Sequence, residues 1–535
     1  MGAAATLILS YGSGLTYFQD SWELLMNRRD LTAEAVFAPH SEHIVVLPAL
    51  IEIVSLRLFG MDSITPDLVV LVALLLGTAG CLFAYVRRRV GPWPALLMTT
   101  LLLFLGPAWQ DLLWPFQIGF VGSCLCGLAA LLVLESEDRR RDLIACILLA
   151  SAMAFSSLGI PFVVAAAVQI LLQRRRHGLR RLWVAAAPLV LYAAWYLGWG
   201  HTAPSQFSAD NVLDSPRYLG EGFVASLDAL LALGTIADEP VARSQWGLPL
   251  LVALLVLVAY GWARQRRLPE GLWPVLAAAV TFWLLAGFNE IPGREAYSSR
   301  YLYVGALFLI LIAANLLQGV RFNRWGLLAA GALTAVVVGF NLVPLREGRD
   351  FFEGQTVLTR ADLAAIEIAA PKVDPGFRLP PETAGTPFLN EIEAGEYLQA
   401  VEEYGSPAYS AAELAAAPEQ GRVQADLVLA NALPLNIETM AAPAAARARR
   451  CVEVPGGAGR GDEPLALAPG TTTIALGQGE PGKISLRRFA REQYPLVAET
   501  IAPASTTRLQ IPPDRASQPW RLLVEAPQAA TVCRV

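Results

Sequence analysis

Two short polar stretches near the start of an otherwise apolar chain hold residue types that can do chemistry: Gln19-Asp20-Ser21-Trp22-Glu23 and Pro39-His40-Ser41-Glu42-His43. Asp20 follows directly on the first apolar run. A carboxylate at membrane-surface depth, partly desolvated by a helix lying in the interface, can act as general base on a hydroxyl. Glu23, one helical turn further on, is the second acid; the pair reads equally well as two solvated loop acids. His40 and His43, at i and i+3, can face one metal from a helix with Glu42 beside them, which is a weak zinc pattern. The competing reading makes the cluster a helix start before Ile44–Gly60, with Ser41 or Glu42 near the N-cap. Glu42 and His43 are therefore secondary catalytic candidates, and no metal is assigned to them.

Arg294 and Arg300 lie between two apolar runs, with Arg300 leading into Tyr301-Leu302-Tyr303. Cations at an outer membrane surface suit a lipid phosphate; the alternative is that Arg300 snorkels and anchors a helix end. Trp109-Gln110-Asp111 and Trp114-Pro115-Phe116-Gln117 form a turn rich in aromatic and hydrogen-bonding groups. Trp114, Gln117, Asp111 and Tyr301 are candidate sugar contacts, although an interfacial aromatic belt explains the tryptophans as well. The chain has no GxxxxGK[ST], no GxGxxG after a strand, no HExxH and no GxSxG. The apolar runs lack the internal acid and histidine chains of a proton-coupled pump.

The elements that must position these residues are membrane helices. Of 535 residues, 55% are hydrophobic and 16% charged, against about 25% charged in a soluble domain. The mean hydropathy of +0.45 is too high for a soluble protein. The net charge of −5 says little, because its parts lie on different sides of a membrane. Lys372 and Lys483 are the only lysines; this Arg, Ala, Gly and Pro usage is associated with bacterial genomes. No basic stretch interleaved with aromatics points to nucleic acid.

Spans of about 20 apolar residues are expected at Asp67–Val86, Val90–Pro107, Gln117–Leu134, Leu182–Trp199, Trp246–Ala263, Gly271–Phe288, Tyr301–Leu317 and Trp325–Pro344. Met1–Phe18 is a weaker first span, and the true start codon of a longer first helix can lie upstream. The arginine clusters at 87–89, 139–141, 174–181, 264–267 and 321–324 fall on one side only under one arrangement. Ile44–Gly60 must not cross, and Asp142–Gln173 must cross twice, turning at Ser156–Pro161. This predicts about eleven transmembrane helices, the N-terminus inside and everything after Pro344 outside, in a bacterial cytoplasmic membrane. Residues 1–344 form the membrane domain, with outer loops at 19–66 and 200–245.

Residues 345–450 mix helical pieces with Pro-rich connections. From 451 to 535, short alternating runs broken by Gly and Pro predict a β-sandwich-like domain. The fold class is thus a polytopic α-helical membrane protein with an extracytoplasmic C-terminal α+β domain. Cys451 and Cys533 are the only cysteines in the tail, a plausible disulfide in an oxidising compartment that would tie the first strand to the last.

Thr16-Tyr17-Phe18-Gln19-Asp20-Ser21-Trp22-Glu23, followed by Glu42-His43 leading into Ile44-Val45-Val46-Leu47-Pro48, resembles the GT-C superfamily of membrane glycosyltransferases over the membrane half of the chain. The resemblance implies a polyprenyl-phosphate-linked sugar as donor and a cell-envelope glycan, lipid or protein as acceptor. It implies Asp20 as the base, with inversion at the anomeric carbon, and Arg300 with Arg294 at the donor phosphate. Relatives pair two acids directly where Ser21-Trp22 separate Asp20 from Glu23 here. No cofactor is implied beyond an open question of a divalent cation. The β-rich tail resembles attached carbohydrate-binding modules. The alternative is a non-catalytic transporter or flippase of lipid-linked glycans.

Overall fold

The computed structural model describes residues 1–535 except 137, 174–178, 234–246, 250, 253–254, 257–258, 260–267, 382–383, 386–387, 441–449, 457–463 and 535. The chain forms two compact units: Met1–Gly14, Asn27–Ser55 and Ile64–Phe351 make the first, and Leu15–Met26, Leu56–Ser63 and Phe352–Val535 the second.

The first unit is helical. Among the described residues, five helices are long and apolar enough to cross a membrane: Thr65–Val90, Pro115–Leu134, Arg180–Gly198, Ser299–Leu316 and Arg324–Ala369. A sixth is Pro92–Leu103 with Gly106–Leu113, bent by 47°. Gly2–Gly12, Gly159–Leu172 and Leu272–Gly287 are apolar but shorter. Most of the expected span Trp246–Ala263, with the arginines at 174–176 and 264–267, lies outside the described residues. The first apolar helix ends at Gly12, not Phe18, because Gly14 takes φ 87°, a left-handed conformation that glycine adopts freely. The expected span Val90–Pro107 starts at Pro92, since Gly91 at φ 88° ends the preceding helix, and it breaks after Leu103, ahead of Gly106–Leu113. At Ser156 the chain turns extended, separating Arg139–Phe155 from Gly159–Leu172 at the breaker read from the sequence. Val46–Phe59 is a 14-residue helix, too short to cross.

Helix Ser299–Leu316 is the centre of this unit, with 83% of its apolar window buried. Small residues let its neighbours close in, as membrane helices require where no water drives them together. A Cβ at Gly305 would strike Ser226 and Trp283, and one at Gly222 would strike Trp283, whose ring is fully buried. The helix thus holds its first turn, with Arg300 and Tyr301, at a fixed place.

The second unit carries two antiparallel sheets. With β1 Asn436–Met440, β2 Arg450–Val454, β3 Leu465–Leu467, β4 Gly470–Leu476, β5 Gly482–Arg487, β6 Leu496–Ile501, β7 Thr506–Ile511, β8 Trp520–Glu525 and β9 Ala530–Arg534, the orders are β1-β7-β4-β9-β2 and β3-β8-β5-β6. Alternate residues of β8 are buried, as a strand with one covered face requires. The sheets begin before Cys451, at Asn436. Cys451 and Cys533 lie opposite each other across β2 and β9 and are bonded. The bond therefore ties the second strand to the last. Closing a loop of 82 residues, it is expected to contribute about 2–5 kcal/mol. Unfolding of the Cys451→Ser, Cys533→Ser double variant in detergent checks this, and an unchanged midpoint refutes it.

Candidate functional site

The loop that carries Glu42 and His43 is built on a buried arginine. Arg28, 4% exposed, donates through Nη1 to the Ala35 carbonyl at 2.7 Å, and through Nη2 to those of Ala38 and Pro39 at 2.9 and 3.1 Å. Thr32 caps the short helix Ala33–Phe37 by accepting from the Ala35 amide. Trp195 Nε1 holds the far end by donating to the Phe37 carbonyl at 2.8 Å.

Beyond it, His40 and His43 exchange backbone hydrogen bonds of 3.0 and 2.9 Å across a tight turn. Ser41 takes φ 48° to close that turn, a conformation uncommon for a non-glycine residue. The two histidines are therefore not one turn apart on a helix, and Ser41 and Glu42 cap nothing, since the helix starts at Val46. Each ring packs instead on a phenylalanine edge, His40 on Phe116 and His43 on Phe120. Among the described residues no three His, Cys, Asp or Glu side chains gather as metal ligands.

At the turn's tip, both Glu42 oxygens accept from Arg294 Nη1, at 2.9 and 3.2 Å. Arg294 is held in turn by its carbonyl, which accepts from the buried Tyr218 hydroxyl at 2.8 Å. Arg294 thus spends one nitrogen on an acid, whereas Arg300 donates to the Gly293 carbonyl at 2.5 Å and lies over the Tyr301 ring.

Glu42, His43 and Arg294 line a cavity of about 570 Å³, the size of a small-ligand pocket. Phe120, Phe282, Phe288, Tyr192 and Tyr301 form much of its wall, with Ser157 and Asn289 between them. Tyr301 stacks parallel to Phe120, 6.4 Å between centroids. His43 Nδ1 is buried and has no hydrogen-bond partner. Burial, with Arg294 and Arg300 adding positive charge against the pull of Glu42, brings its pKa down to about 4. His43 is neutral at pH 7, with one ring nitrogen able to accept.

The other expected site residues fall elsewhere. Asp20 and Glu23 occupy the first turn of helix Asp20–Asn27, in the second unit. That helix is anchored by Trp22, fully buried, whose Nε1 donates to the Tyr17 carbonyl and whose ring meets Tyr17 and Tyr397 edge-on. Gln19, directly before Asp20, has φ 42°. Both Asp20 and Glu42 thus follow a non-glycine residue in left-handed backbone, the kind of local strain that clusters at functional sites. Asp111, Trp114 and Gln117 are 0, 2 and 1% exposed. Of the four expected sugar contacts, only Tyr301 lines the cavity.

No protein-family model matches the chain, and no curated protein sequence does. Solved structures similar to it include two of ArnT from Cupriavidus metallidurans, a GT-C glycosyltransferase. One is bound to undecaprenyl phosphate, at 14% identity and TM-score 0.45, over 75% of this chain and 86% of that one. The other is the apo state, at 14% identity and TM-score 0.46, over 82% of this chain and 92% of that one. At this TM-score and identity the match assigns neither residue roles nor a substrate.

Sequence reasoning missed Arg28, Tyr192 and Phe282. Arg28 sits beside Arg29 as an ordinary charged residue in the chain, and nothing local marks it as the one that folds inward. Tyr192 and Phe282 lie inside apolar helices, where an aromatic facing a cavity reads like one facing lipid.

Proposed function

We propose that the chain is a membrane glycosyltransferase that moves a sugar from a polyprenyl-phosphate donor to a hydroxyl acceptor of the cell envelope, on the outer face of the membrane. The observation that carries this reading is the cavity in which the Glu42–Arg294 pair and a neutral His43 meet an aromatic wall. Aromatic faces cover the apolar side of a sugar ring, and a few fixed polar groups hold its hydroxyls. The bond between Cys451 and Cys533 supports an oxidising compartment for the tail. The arginine distribution supports eleven crossings with the N-terminus inside.

In this reading the acceptor hydroxyl attacks the anomeric carbon while a carboxylate takes its proton, and the bond to the lipid phosphate breaks. Arg300 offsets the charge of the departing phosphate. Two acids are proposed to serve the reaction: Glu42, by its place in the cavity, and Asp20, by its place after the first apolar helix. Arg294 holds the Glu42 carboxylate in place through Nη1. The β-sheet region is proposed to bind the glycan acceptor.

Purified protein in detergent, given radiolabelled polyprenyl-phosphate sugars and cell-envelope glycans, is expected to transfer the label. Asp20→Ala is expected to lower turnover by about 10²–10⁴ with the fold retained, the usual effect of removing a positioned base. Transfer that survives in Asp20→Ala leaves the proton to Glu42. No transfer by the wild type across a broad donor panel refutes the enzyme and favours a transporter of lipid-linked glycans.

A further inference from the structure

The charges that line the cavity cancel. Among the described lining residues the groups that can be charged at pH 7 are Glu42, Arg294 and His43. Glu42 and Arg294 neutralise each other at 2.9 Å, with side chains only 18 and 20% exposed. His43 stays neutral, since burial and the nearby guanidinium groups disfavour its protonation. The remaining wall is aromatic or uncharged, with Ser157 and Asn289 as its small hydrogen-bonding groups.

We infer that the sugar taken here is itself uncharged, carrying neither a free amine nor a carboxylate; the inference rests on the transferase reading above. A sugar ammonium needs a carboxylate partner, and the one available is held by Arg294. The charge of Arg300, felt at His43, opposes a further cation. A uronate would bring a second carboxylate beside Glu42, against the single guanidinium charge of Arg294 that Glu42 already compensates, and like charges held close in a half-buried place repel. Aromatic faces attract cations, but that attraction is the smaller effect where the one acid among the described lining residues is already compensated. A neutral ring instead lays its C–H face on Tyr301 and Phe282. Its hydroxyls find Ser157 and Asn289, the small hydrogen-bonding groups of the wall.

The test compares three donors on the wild-type protein: polyprenyl phosphates bearing a neutral hexose, the same hexose with a free amine, and the same hexose as a uronate. The neutral donor is expected to exceed both charged donors by at least about 10²-fold in kcat/KM, since desolvated polar groups discriminate strongly. Arg294→Gln, which exposes the Glu42 charge, is expected to raise the amine donor at least tenfold relative to the neutral one. A charged donor that matches or exceeds the neutral one overturns this inference while leaving a transferase. No transfer from any of the three defeats the transferase reading, and the inference with it.

Discussion

Replacing Glu42 by Gln is expected to lower kcat/KM by about 10² while the protein still folds, because it removes the charge that fixes Arg294 in the cavity and so misplaces the sugar for reaction. Gln keeps the side-chain length and can still accept from Arg294 Nη1, which lies 2.9 Å from the carboxylate. The loop itself is held by Arg28 and by the paired amides of His40 and His43, so its shape does not depend on the charge. A loss below about threefold would remove Glu42 from the chemistry. The pH dependence separates this from a mere change in packing. His43, at about 4 against an ordinary 6.5, is neutral in the folded protein across the range where the unfolded chain takes up a proton. Its contribution to stability is present above about pH 6.5 and is lost as pH falls toward 4. Glu42 raises the His43 pKa and Arg294 lowers it. The acid limb of residual activity is therefore expected to move down in Glu42→Gln and up in Arg294→Gln. Shifts in the same direction in both variants would refute the assignment.

The parts of this protein that a reader of the sequence finds are those governed by neighbours along the chain. Apolar runs of about 20 residues announce the long helices at Thr65 and Ser299, and alternation announces β5, β7 and β8. Ser156-Ser157-Leu158-Gly159 announces a break, and the chain breaks there. The candidate site is half legible on the same terms: Glu42, His43, Arg294 and Tyr301 stand out as polar or aromatic groups at helix ends. Their association does not. Glu42 and Arg294 are 252 residues apart, and no local rule chooses that arginine over Arg300. Left-handed backbone is equally hidden at Gln19 and Ser41, because neither position holds the glycine that would advertise it. In the tail, helix Glu419–Ala432 is missed because its polar and apolar residues are mixed along the chain, with no clear stripe to read. Its purpose lies in one residue whose partners are more than 60 positions away.

That residue gives the second large effect. Asp426→Ala is expected to destabilise the second unit by about 4 kcal/mol, through loss of a buried acceptor for several donors at once. Asp426 is fully buried on helix Glu419–Ala432. Its carboxylate accepts the backbone amides of Arg488, Phe489 and Ala490 at 2.7, 2.9 and 3.1 Å. Those amides follow directly on β5, where the chain leaves the sheet and has no neighbouring strand to bond them. The Arg488 side chain closes the same corner, pairing with Asp514 at 2.5 Å with both side chains 2% exposed. Alanine leaves three buried donors without a partner and sets the corner free of the helix. The same burial that makes the carboxylate so useful pushes its pKa up to about 6, although the three amides and Arg488 hold it down. Because the folded value is the higher one, this group favours the folded state most below the ordinary carboxylate range and loses that advantage as pH rises through 6. Thermal unfolding of the full chain in detergent, read by intrinsic fluorescence and by the rate at which reductant reaches the Cys451–Cys533 bond, reports on this unit. A midpoint within about 1 kcal/mol of wild type, with the bond still protected, would mean that water reaches the 488–490 amides and that the corner does not depend on Asp426.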